Sequence, residues 1–320
     1  MRRIAVLTSG GDCSGMNPAI RAVVRTALAK GIDVVGIQRG YRGLIDRQYE
    51  MLHHQSVSNT LQRGGTFLQS ARCKEMMSPA GQAIAVETLE GIGIEGLVVI
   101  GGDGSLRGAK ALHERGIKTI GIPASIDNDI PFTDMSLGVD TALNNICYAV
   151  DCLKDTASSH DRTFVVETMG RGSGYLALTA AVACGAEFAL IPEVEFDLDA
   201  ICEILRRRFK DGRNNSLILV AEGAASAKEI ADQIKDRIHF ETRLMVLGHY
   251  QRGGSPTAFD RLLACRFGMT AVEALLAGES GKMIGLTKSE IQLTELDKVI
   301  SEKTRPIDQM LVKLGEIMDR

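Results

Sequence analysis

The chain has no tryptophan, and aromatic residues make up only 4% of its 320 residues. Proteins that bind single-stranded nucleic acid stack the bases on aromatic side chains, so this composition argues against that class. The formal net charge of -3 also gives no basic surface that would attract a nucleic-acid backbone. Any anionic ligand must therefore be bound by local groups of arginine and lysine.

Paired cysteines and long apolar runs are also missing. The seven cysteines are scattered and none stands in a CxxC spacing, so neither a zinc site nor a disulfide framework is indicated. The longest mildly apolar stretch, residues 177–192, contains Glu187 and is too short to span a membrane. The apolar run after Arg3 is too short for a signal peptide. We therefore expect free thiols in a cytoplasmic protein.

What the chain does have is an alternation of apolar runs and amphipathic segments over a length typical of about two domains. We expect strands at residues 4–8, 34–37, 97–100, 119–122, 163–167, 188–191 and 217–221. We expect helices at residues 18–30, 83–90, 141–156, 175–184, 200–210, 228–237 and 261–277. This order predicts an α/β protein with mostly parallel sheets covered by helices on both faces. The helix at 141–156 could connect two lobes, although no change of composition marks a boundary.

A strand, a glycine-rich turn and a helix recur at residues 8–12, 101–105 and 170–174. Glycine lets backbone N–H groups approach an anion, and the start of the following helix favours negative charge. Any one of these loops could simply be a tight turn, but three together favour phosphate binding. One loop also matches the dinucleotide pattern, with Gly172, Gly174 and Ala177 followed by Glu193 about 20 residues on. A dinucleotide-dependent enzyme therefore stays an alternative, whereas no P-loop or protein-kinase motif occurs.

Carboxylates stand beside these loops. Asp127 and Asp129 follow the apolar run at 119–122, and in an extended chain they would share a face roughly 6–7 Å apart. That position suits a metal ligand or a catalytic base. Asp103 lies among the glycines of the second loop, where a carboxylate beside phosphate requires a bridging cation such as Mg²⁺. The alternative for Asp103 is a cap on the following helix.

Basic residues near the loops could bind phosphate. Each alone is usually a solvated surface residue, but arginine suits bidentate phosphate recognition. The arginines near glycine-rich or polar segments are Arg72, Arg162, Arg171, Arg243 and Arg252, with His249 just before the last. Arg21 and Arg25 are four residues apart on one helix face, which is either a solvated basic face or a second anion site.

Ordered blocks along the chain carry a family resemblance. They include LTSGGDCSGMN at 7–17, RGGTFLQSAR at 63–72, VVIGGDGS at 98–105, IPASIDNDI at 122–130, VETMGRGSG at 166–174 and ETRLMVLGHYQRGGSP at 241–256. Together they make the chain resemble bacterial ATP-dependent 6-phosphofructokinases over essentially its whole length. The resemblance implies a three-layer αβα phosphofructokinase fold and transfer of the γ-phosphoryl group of ATP to the 1-hydroxyl of fructose 6-phosphate. It also implies an ATP/Mg-binding lobe at 1–138 plus 252–304 and a fructose 6-phosphate-binding lobe at 139–251 plus 305–320.

The resemblance further implies residue roles. Asp127 would be the general base with Ser125 beside it, and Arg72 and Arg171 would stabilise the transferring group. ATP would contact Gly11, Arg72, Cys73, Gly102, Asp103, Gly104 and Ser105, and Mg²⁺ would be held by Asp103 with Asp129 close to it. The sugar phosphate would contact Ser125, Asp127, Met169, Gly170, Arg171, Glu222, His249 and Arg252. Arg162 and Arg243 would reach it from a neighbouring subunit, which implies a homotetramer.

Departures from the family pattern weaken the expectation of an effector site. ADP or phosphoenolpyruvate would bind at an effector site formed by Arg21, Arg25, Lys154, Gly185, Glu187 and Arg213. His54, Lys154 and Asp211 replace basic residues or arginines common there, so we expect weakened or altered allostery.

Gly104 and Ala124 are small where pyrophosphate-dependent relatives carry Asp and Lys, which favours ATP over pyrophosphate as the phosphoryl donor. Ser14 replaces a usual proline and Ser125 a usual threonine. A catalytically silent regulatory subunit would be expected to lack Asp103, Asp127 or Arg171, and all three are present.

Overall fold

The computed structural model describes residues 1–160, 162–302 and 304–318. Its strands are β1 (Arg3–Ser9), β2 (Asp33–Ile37), β3 (Tyr49–Leu52), β4 (Gly96–Gly101), β5 (Thr119–Pro123), β6 (Thr163–Thr168), β7 (Phe188–Leu190), β8 (Ser216–Ala221), β9 (Thr242–Val246), β10 (Lys282–Thr287) and β11 (Glu290–Glu295). Its helices are α1 (Met16–Ala29), α2 (Tyr41–Ile45), α3 (Pro79–Gly91), α4 (Asp103–His113), α5 (Val139–His160), α6 (Tyr175–Cys184), α7 (Leu198–Lys210), α8 (Ala227–Ile238), α9 (Ala258–Leu276), α10 (Leu296–Ser301) and α11 (Gln309–Met318). Among these described helices, none is both long and apolar enough to cross a membrane.

The chain divides into two compact units, each built on its own sheet. The first unit comprises Met1–Thr141 and Arg252–Arg305, and the second comprises Ala142–Gln251 and Pro306–Arg320. In the first unit the strand order is β11-β10-β5-β4-β1-β2-β3, parallel except for the pairs β2–β3 and β10–β11. In the second unit the order is β7-β8-β6-β9, and every pair is parallel. The predicted α/β class with mostly parallel sheets is confirmed.

The core of the first unit explains its continuous apolar runs. All residues of β4 are buried, because helices cover both faces of a central parallel strand. Helices α1 and α9 pack against each other at Gly268, where an added Cβ would lie 2.6 Å from the Cβ of Ala22. A glycine at this position therefore lets the two helices approach closely.

Four of the described strands, β3, β9, β10 and β11, were not predicted from the sequence. β3 has a single buried residue, and β9 and β11 have none, so these strands lack a continuous run of buried apolar residues. β10 is buried but has Gly285 in its middle, a residue that is uncommon in strands. An added Cβ at Gly285 would lie 2.2 Å from the carbonyl oxygen of Phe132, so a close backbone approach requires the glycine.

A buried carboxylate fixes the start of α5 within the first unit. Asp260, on α9, is fully buried and accepts hydrogen bonds from the backbone N–H groups of Gly138 (2.9 Å) and Thr141 (2.8 Å). The hydroxyl of Thr141 donates a third bond at 2.5 Å. The side chain thus satisfies amides that the first turn of a helix leaves without partners. Burial nevertheless dominates and raises the pKa of Asp260 to about 6.

This pKa predicts a pH-dependent stability. A folded-state pKa raised from 3.8 to about 6 stabilises the fold fully below pH 3.8, and this contribution is lost as pH rises through 6. The loss amounts to about 3 kcal/mol by neutral pH. Asp260→Asn lacks this titration and loses hydrogen bonds, so its melting temperature should lie below the wild-type value at pH 4.5 and approach it by pH 7.5.

Thermal unfolding at a series of pH values measures this difference. Asp297→Asn is the matched control, because that carboxylate is 81% exposed. A melting-temperature difference between Asp260→Asn and wild type that stays constant with pH would contradict the assignment.

Candidate active site

Three loops of the first unit start at the same level along the sheet. Ser9, Gly101 and Pro123 are register partners at the carboxyl ends of β1, β4 and β5. The loops that follow these strands therefore leave the sheet at one edge, where α/β proteins bind their ligands. The N–H of Ala124 donates to the carbonyl of Gly101 at 3.0 Å, which ties the second and third loops together.

The Gly102–Ser105 segment forms the first turn of α4. Gly102 is the residue that precedes the helix, and no side chain caps this end. The alternative that Asp103 caps the helix is therefore wrong. Its carboxylate is 55% exposed and contacts Arg107 Nε at 3.1 Å. Backbone N–H groups at a helix start bind phosphate readily, so this turn can hold a phosphate group beside Asp103.

Asp127 lies in a tight turn after β5. Asn128 has a φ of 48°, so the chain is not extended here and the expected shared face of Asp127 and Asp129 is wrong. The side chain of buried Asn128 stabilises the turn, since its Nδ2 donates to the carbonyl of Asp134 and its Oδ1 accepts from the N–H of Ser136. Asp127 is only 3% exposed, whereas Asp129 is half-buried. The turn thus gives two neighbouring carboxylates different surroundings.

Ser125 belongs to the same turn. Its hydroxyl accepts a hydrogen bond from the N–H of Asp127 at 3.3 Å. Gly102 lies beside it, because an added Cβ at Gly102 would be 3.8 Å from the Cβ of Ser125. The structure therefore brings Ser125, Asp127 and the Gly102 loop to one edge of the first sheet.

The segment that carries Arg72 and Cys73 is attached to the same edge. The hydroxyl of Thr8 bonds to the hydroxyl of Thr66 at 2.8 Å and donates to the carbonyl of Gln69 at 2.9 Å. The hydroxyl of Ser70 donates to the carbonyl of Gly10. Beyond these attachments Arg72 is exposed and Cys73 is half-buried.

Gly11 and Arg252 are neighbours. The guanidinium of Arg252 donates to the carbonyl of Asp12 at 3.1 Å, and an added Cβ at Gly11 would be 2.2 Å from its Nη1. The structure therefore places Arg252, predicted as a sugar-phosphate residue, directly against Gly11, predicted as an ATP residue.

The residues of this edge fit a magnesium ion that is shared with a bound phosphate. Within the described residues no three His, Cys, Asp or Glu side chains form a metal cluster. Mg²⁺ does not need such a cluster, because it commonly binds through one or two carboxylates, phosphate oxygens and water. The exposed Asp103 carboxylate next to the start of α4 offers this kind of ligand.

The second unit has its own group of predicted site residues, at the carboxyl ends of β6, β8 and β9. Thr168 is the register partner of Ala221, and Glu167 is that of Val246. Met169–Arg171, Glu222 and His249 follow these ends, so the structure brings these predicted residues to one edge of the second sheet. Gln251 is a residue that the sequence did not reveal. It is buried, and its Oε1 accepts from the N–H of Met169 at 3.2 Å.

Glu222 holds the loop that carries Arg171. Its Oε1 accepts hydrogen bonds from the N–H groups of Gly170 (3.2 Å) and Arg171 (2.9 Å). Arg171 has a φ of 51°, an uncommon value for a residue other than glycine. An added Cβ at Gly223 would lie 1.8 Å from the carbonyl oxygen of Arg171. Glu222 and Gly223 together therefore fix the direction of the Arg171 backbone.

Arg162 and Arg243 lie at the other end of the second sheet. Arg162 precedes β6 and Arg243 follows the first residue of β9, at the amino ends of these parallel strands. Both guanidinium groups pair with Glu241, and Arg162 in particular lowers the pKa of that carboxylate. The seven-residue step from Arg162 to Met169 corresponds to roughly 20 Å along a strand. Within one chain these two arginines therefore do not join the set at Met169–Arg171.

The dinucleotide pattern has a structural explanation. Both carboxylate oxygens of Glu193 accept hydrogen bonds from the N–H of Gly174, at 2.8 and 3.1 Å, just before α6. An added Cβ at Gly174 would lie 2.5 Å from Glu193 Oε2. A carboxylate of the chain itself therefore occupies the helix start where a dinucleotide would place its pyrophosphate.

Three of the predicted effector residues line one pocket of the second unit. Lys154, Gly185 and Glu187 surround a volume of about 360 Å³, together with Asn215 and neighbouring residues. Arg213 is exposed nearby in sequence, and Arg21 and Arg25 lie on α1 of the first unit. Glu187 accepts 2.6 Å bonds from Arg208 and from the N–H of Leu217, so Arg208 is a partner that the sequence did not reveal.

The chain matches known proteins over its full length. A family model described as phosphofructokinase matches residues 3–275. The ATP-dependent 6-phosphofructokinase of Halothermothrix orenii is 49% identical over 331 residues, which cover 99% of this chain and 99% of that protein. The ATP-dependent 6-phosphofructokinase of Thermotoga neapolitana is 50% identical over 319 residues, which cover 99% of this chain and all of that protein.

Solved structures agree with these matches. Phosphofructokinase from Saccharomyces cerevisiae superposes with a TM-score of 0.88 at 35% identity, covering 100% of this chain and 47% of the yeast chain. Pyrophosphate-dependent phosphofructokinase from Marinobacter aquaeolei gives a TM-score of 0.87 at 21% identity, covering 99% of this chain and 91% of that chain. Because its sequence identity is only 21%, the likeness to the Marinobacter protein concerns the fold alone. The sequence matches and the fold together show that this chain belongs to the phosphofructokinase family.

Proposed function

We propose that this protein transfers the γ-phosphoryl group of Mg-ATP to the 1-hydroxyl of fructose 6-phosphate, giving fructose 1,6-bisphosphate and ADP. Full-length identity of 49–50% to ATP-dependent 6-phosphofructokinases supports this activity. The observation that carries the chemistry is the turn after β5, because it holds a buried carboxylate, Asp127, at the same sheet edge as the Gly102–Ser105 turn.

On the donor side, the N–H groups at the start of α4 bind the ATP phosphates, and Gly11, Arg72 and Cys73 complete the nucleotide contacts. Asp103 would hold Mg²⁺, with Asp129 close to it, and the ion would supply charge neutralisation for the phosphate groups. Asp127 accepts the proton of the sugar 1-hydroxyl, and Ser125 positions the Asp127 turn through its hydrogen bond. Phosphoryl transfer depends mainly on such positioning and charge stabilisation.

On the acceptor side, Met169, Gly170, Glu222, His249 and Arg252 bind fructose 6-phosphate. Arg171 and Arg72 stabilise the charge that spreads over the transferring phosphoryl group, as arginine does in other phosphoryl-transfer enzymes. Glu222 acts on this step through the backbone of Arg171, because its carboxylate accepts a hydrogen bond from the Arg171 N–H.

The donor is ATP rather than pyrophosphate in this proposal. An added Cβ at Gly104 would meet nothing within 4 Å, so the glycine leaves open space at the phosphate turn. Ala124, whose N–H bonds to Gly101 next to this turn, is small and buried. Together these residues leave room for the inner phosphate of a nucleotide, where an Asp and a Lys would fill the space with charge.

A coupled assay with fructose 6-phosphate and Mg²⁺ tests the function by comparing ATP with pyrophosphate as the single donor. We expect turnover with ATP and at least about 10²-fold less with pyrophosphate, since binding pockets commonly discriminate on this scale. Turnover with pyrophosphate alone would support the pyrophosphate-dependent alternative. Fructose 6-phosphate binding without turnover from either donor would support a regulatory subunit.

Gly223→Ala tests the role of the Arg171 loop. Its new Cβ would overlap the Arg171 carbonyl oxygen, so the loop must move and carry the guanidinium with it. A displacement of about 1 Å can cost on the order of 10²-fold in rate, so kcat should fall by about that factor while the first unit stays folded.

Steady-state kinetics measure the fall in kcat, and circular dichroism measures whether the variant stays folded. Gly91→Ala is the control, because an added Cβ there meets nothing within 4 Å. Wild-type kcat in Gly223→Ala would refute the proposed contribution of the loop.

We also propose a homotetramer in which Arg162 and Arg243 serve the sugar-phosphate site of a neighbouring subunit. The arginines lie at the opposite strand ends from Met169–Arg171, which supports a contribution to another chain. β9 lies at the edge of the described second sheet, and its Leu244, Met245 and Val246 are 38–52% exposed, as an interface strand would be in an isolated chain.

Subunit complementation tests this arrangement after sedimentation has established the number of chains. Asp127→Asn and Arg243→Ala homo-oligomers should each be impaired at low fructose 6-phosphate. Mixed oligomers should recover activity, because a site with native Asp127 from one chain and native Arg243 from the other can form. Absence of recovery in verified mixed oligomers would place Arg243 in the site of its own chain.

The pocket around Lys154 is the proposed effector site for ADP or phosphoenolpyruvate, with weakened control. Glu187 already accepts hydrogen bonds from Arg208 and from the N–H of Leu217, so its carboxylate is less available to a bound effector. We expect near-hyperbolic fructose 6-phosphate saturation curves that shift less than about threefold when either compound is added, a change of under 1 kcal/mol in coupling. Strong phosphoenolpyruvate inhibition with sigmoidal curves would contradict this expectation.

A further inference from the structure

Ser14 lies in the loop after β1 and makes an unusual set of contacts for a serine. Its side chain is buried, and its Oγ lies 2.8 Å from the carbonyl oxygen of Gly254, 3.2 Å from that of Gly253 and 3.5 Å from that of Arg252. A hydroxyl has one proton to donate, so the bond to Gly254 is the principal one. The other two carbonyl groups turn toward the same proton. Ser14 therefore holds the backbone of the Arg252–Gly254 turn, which is distant in sequence but lies in the same unit.

The turn held by Ser14 carries a functional side chain. The backbone carbonyl of Arg252 faces Ser14, while its guanidinium donates to the carbonyl of Asp12 at 3.1 Å. The two residues that contact Arg252, Asp12 and Ser14, are two positions apart in the loop after β1. The absence of a side chain at Gly11 makes the second contact possible, because an added Cβ would lie 2.2 Å from Arg252 Nη1. The loop therefore fixes Arg252 at both its backbone and its tip.

A second segment, which the side chain of Asn17 holds, packs against the same turn. Asn17 is buried, its Nδ2 donates to the carbonyl groups of Arg63 (3.1 Å) and Gly64 (3.0 Å), and its Oδ1 accepts from the N–H of Phe67. Gly64 in turn packs against Gly254, since an added Cβ at Gly64 would be 2.2 Å from the Gly254 carbonyl oxygen. The Gly254 carbonyl thus has a fixed position, and Ser14 supplies a side-chain donor that reaches it.

We propose that Ser14 is a positioning residue for fructose 6-phosphate binding, which it supports by holding the Arg252–Gly254 turn so that Arg252 stays against Gly11. The inference rests on the proposed function, in which Arg252 binds the sugar phosphate. Proline, the usual residue here in the resembling family, has no hydroxyl and restricts the loop through its fixed φ instead. In this chain Ser14 joins the loop to the turn by a hydrogen bond.

Loss of the hydroxyl should weaken acceptor binding more than donor binding. One buried hydrogen bond typically changes an equilibrium by about three- to tenfold. Ser14→Ala should therefore raise the KM for fructose 6-phosphate by about that factor, with a change of less than about twofold in the KM for ATP. A residue that acts through Arg252 has no further effect once that side chain is gone, because coupled residues are not additive.

A double-mutant cycle tests this dependence. Ser14→Ala, Arg252→Ala and the double variant are compared by steady-state kinetics, with thermal unfolding as a check of the fold. Thr88→Val is the matched control, because the Thr88 hydroxyl also donates to a distant backbone carbonyl, that of Leu44, but lies outside these loops. We expect Ser14→Ala to raise the KM for fructose 6-phosphate, Thr88→Val to leave it unchanged, and the double variant to match Arg252→Ala.

Three results would overturn the inference. One is an unchanged KM for fructose 6-phosphate in Ser14→Ala. Another is a double variant whose KM for fructose 6-phosphate rises by the product of the two single-variant factors. The third is a rise of this KM in Thr88→Val equal to that in Ser14→Ala. The proposed activity would survive each of them, because it requires only turnover of wild-type enzyme with ATP.

Discussion

The register of three parallel strands is the constraint on which the first unit depends. Because Gly101 is the register partner of both Ser9 and Pro123, the loops after β1, β4 and β5 must leave the sheet together. The backbone pairing alone brings the start of α4, with its free-standing backbone N–H groups suited to phosphate, and the buried carboxylate of Asp127 to the same edge. Glycines and polar side chains such as that of Asn128 then fix the shapes of the individual loops.

Polar side chains hold the loops in shapes that the backbone alone would not favour. Asn128 and Arg171 both have positive φ angles, a conformation that costs on the order of 1 kcal/mol or more outside glycine. Asn128 offsets this cost through its own amide group, and Glu222 does so for Arg171. Ser14 and Asn17 likewise donate side-chain hydrogen bonds to backbone carbonyl groups of loops that are distant in sequence. The shape of the candidate site therefore depends on side chains that bond to the backbone of its loops.

Much of this arrangement could be predicted from the sequence. The central strands are continuous apolar runs, so β4 and β8 were predicted to within a residue or two at each end. The positions of the carboxylates after glycine-rich or apolar segments also follow from the pattern. The family resemblance then assigned chemical roles that residue types alone left open, such as the choice between base and metal ligand for Asp127.

What the sequence could not reveal depends on contacts between distant segments. The αL conformation of Asn128 follows from partners at Asp134 and Ser136, so an extended chain was the natural but wrong expectation. The pairing of Glu187 with Arg208 and the contact of Arg252 with the Gly11 loop likewise join residues with no local pattern. β10 was missed for the same reason, since only the approach of Phe132 explains Gly285.

The most direct test of the account is the catalytic share of Asp127, the buried carboxylate of the β5 turn. Asp127→Asn keeps the size of the side chain and removes the base, while Asp297→Asn controls for loss of an exposed carboxylate. Calorimetric binding and turnover should be measured on the same preparations. We expect fructose 6-phosphate to bind within about threefold of wild type, and kcat to fall by at least about 10²–10⁴-fold, the usual contribution of a positioned base. Near-normal turnover with ATP in this variant would contradict the account.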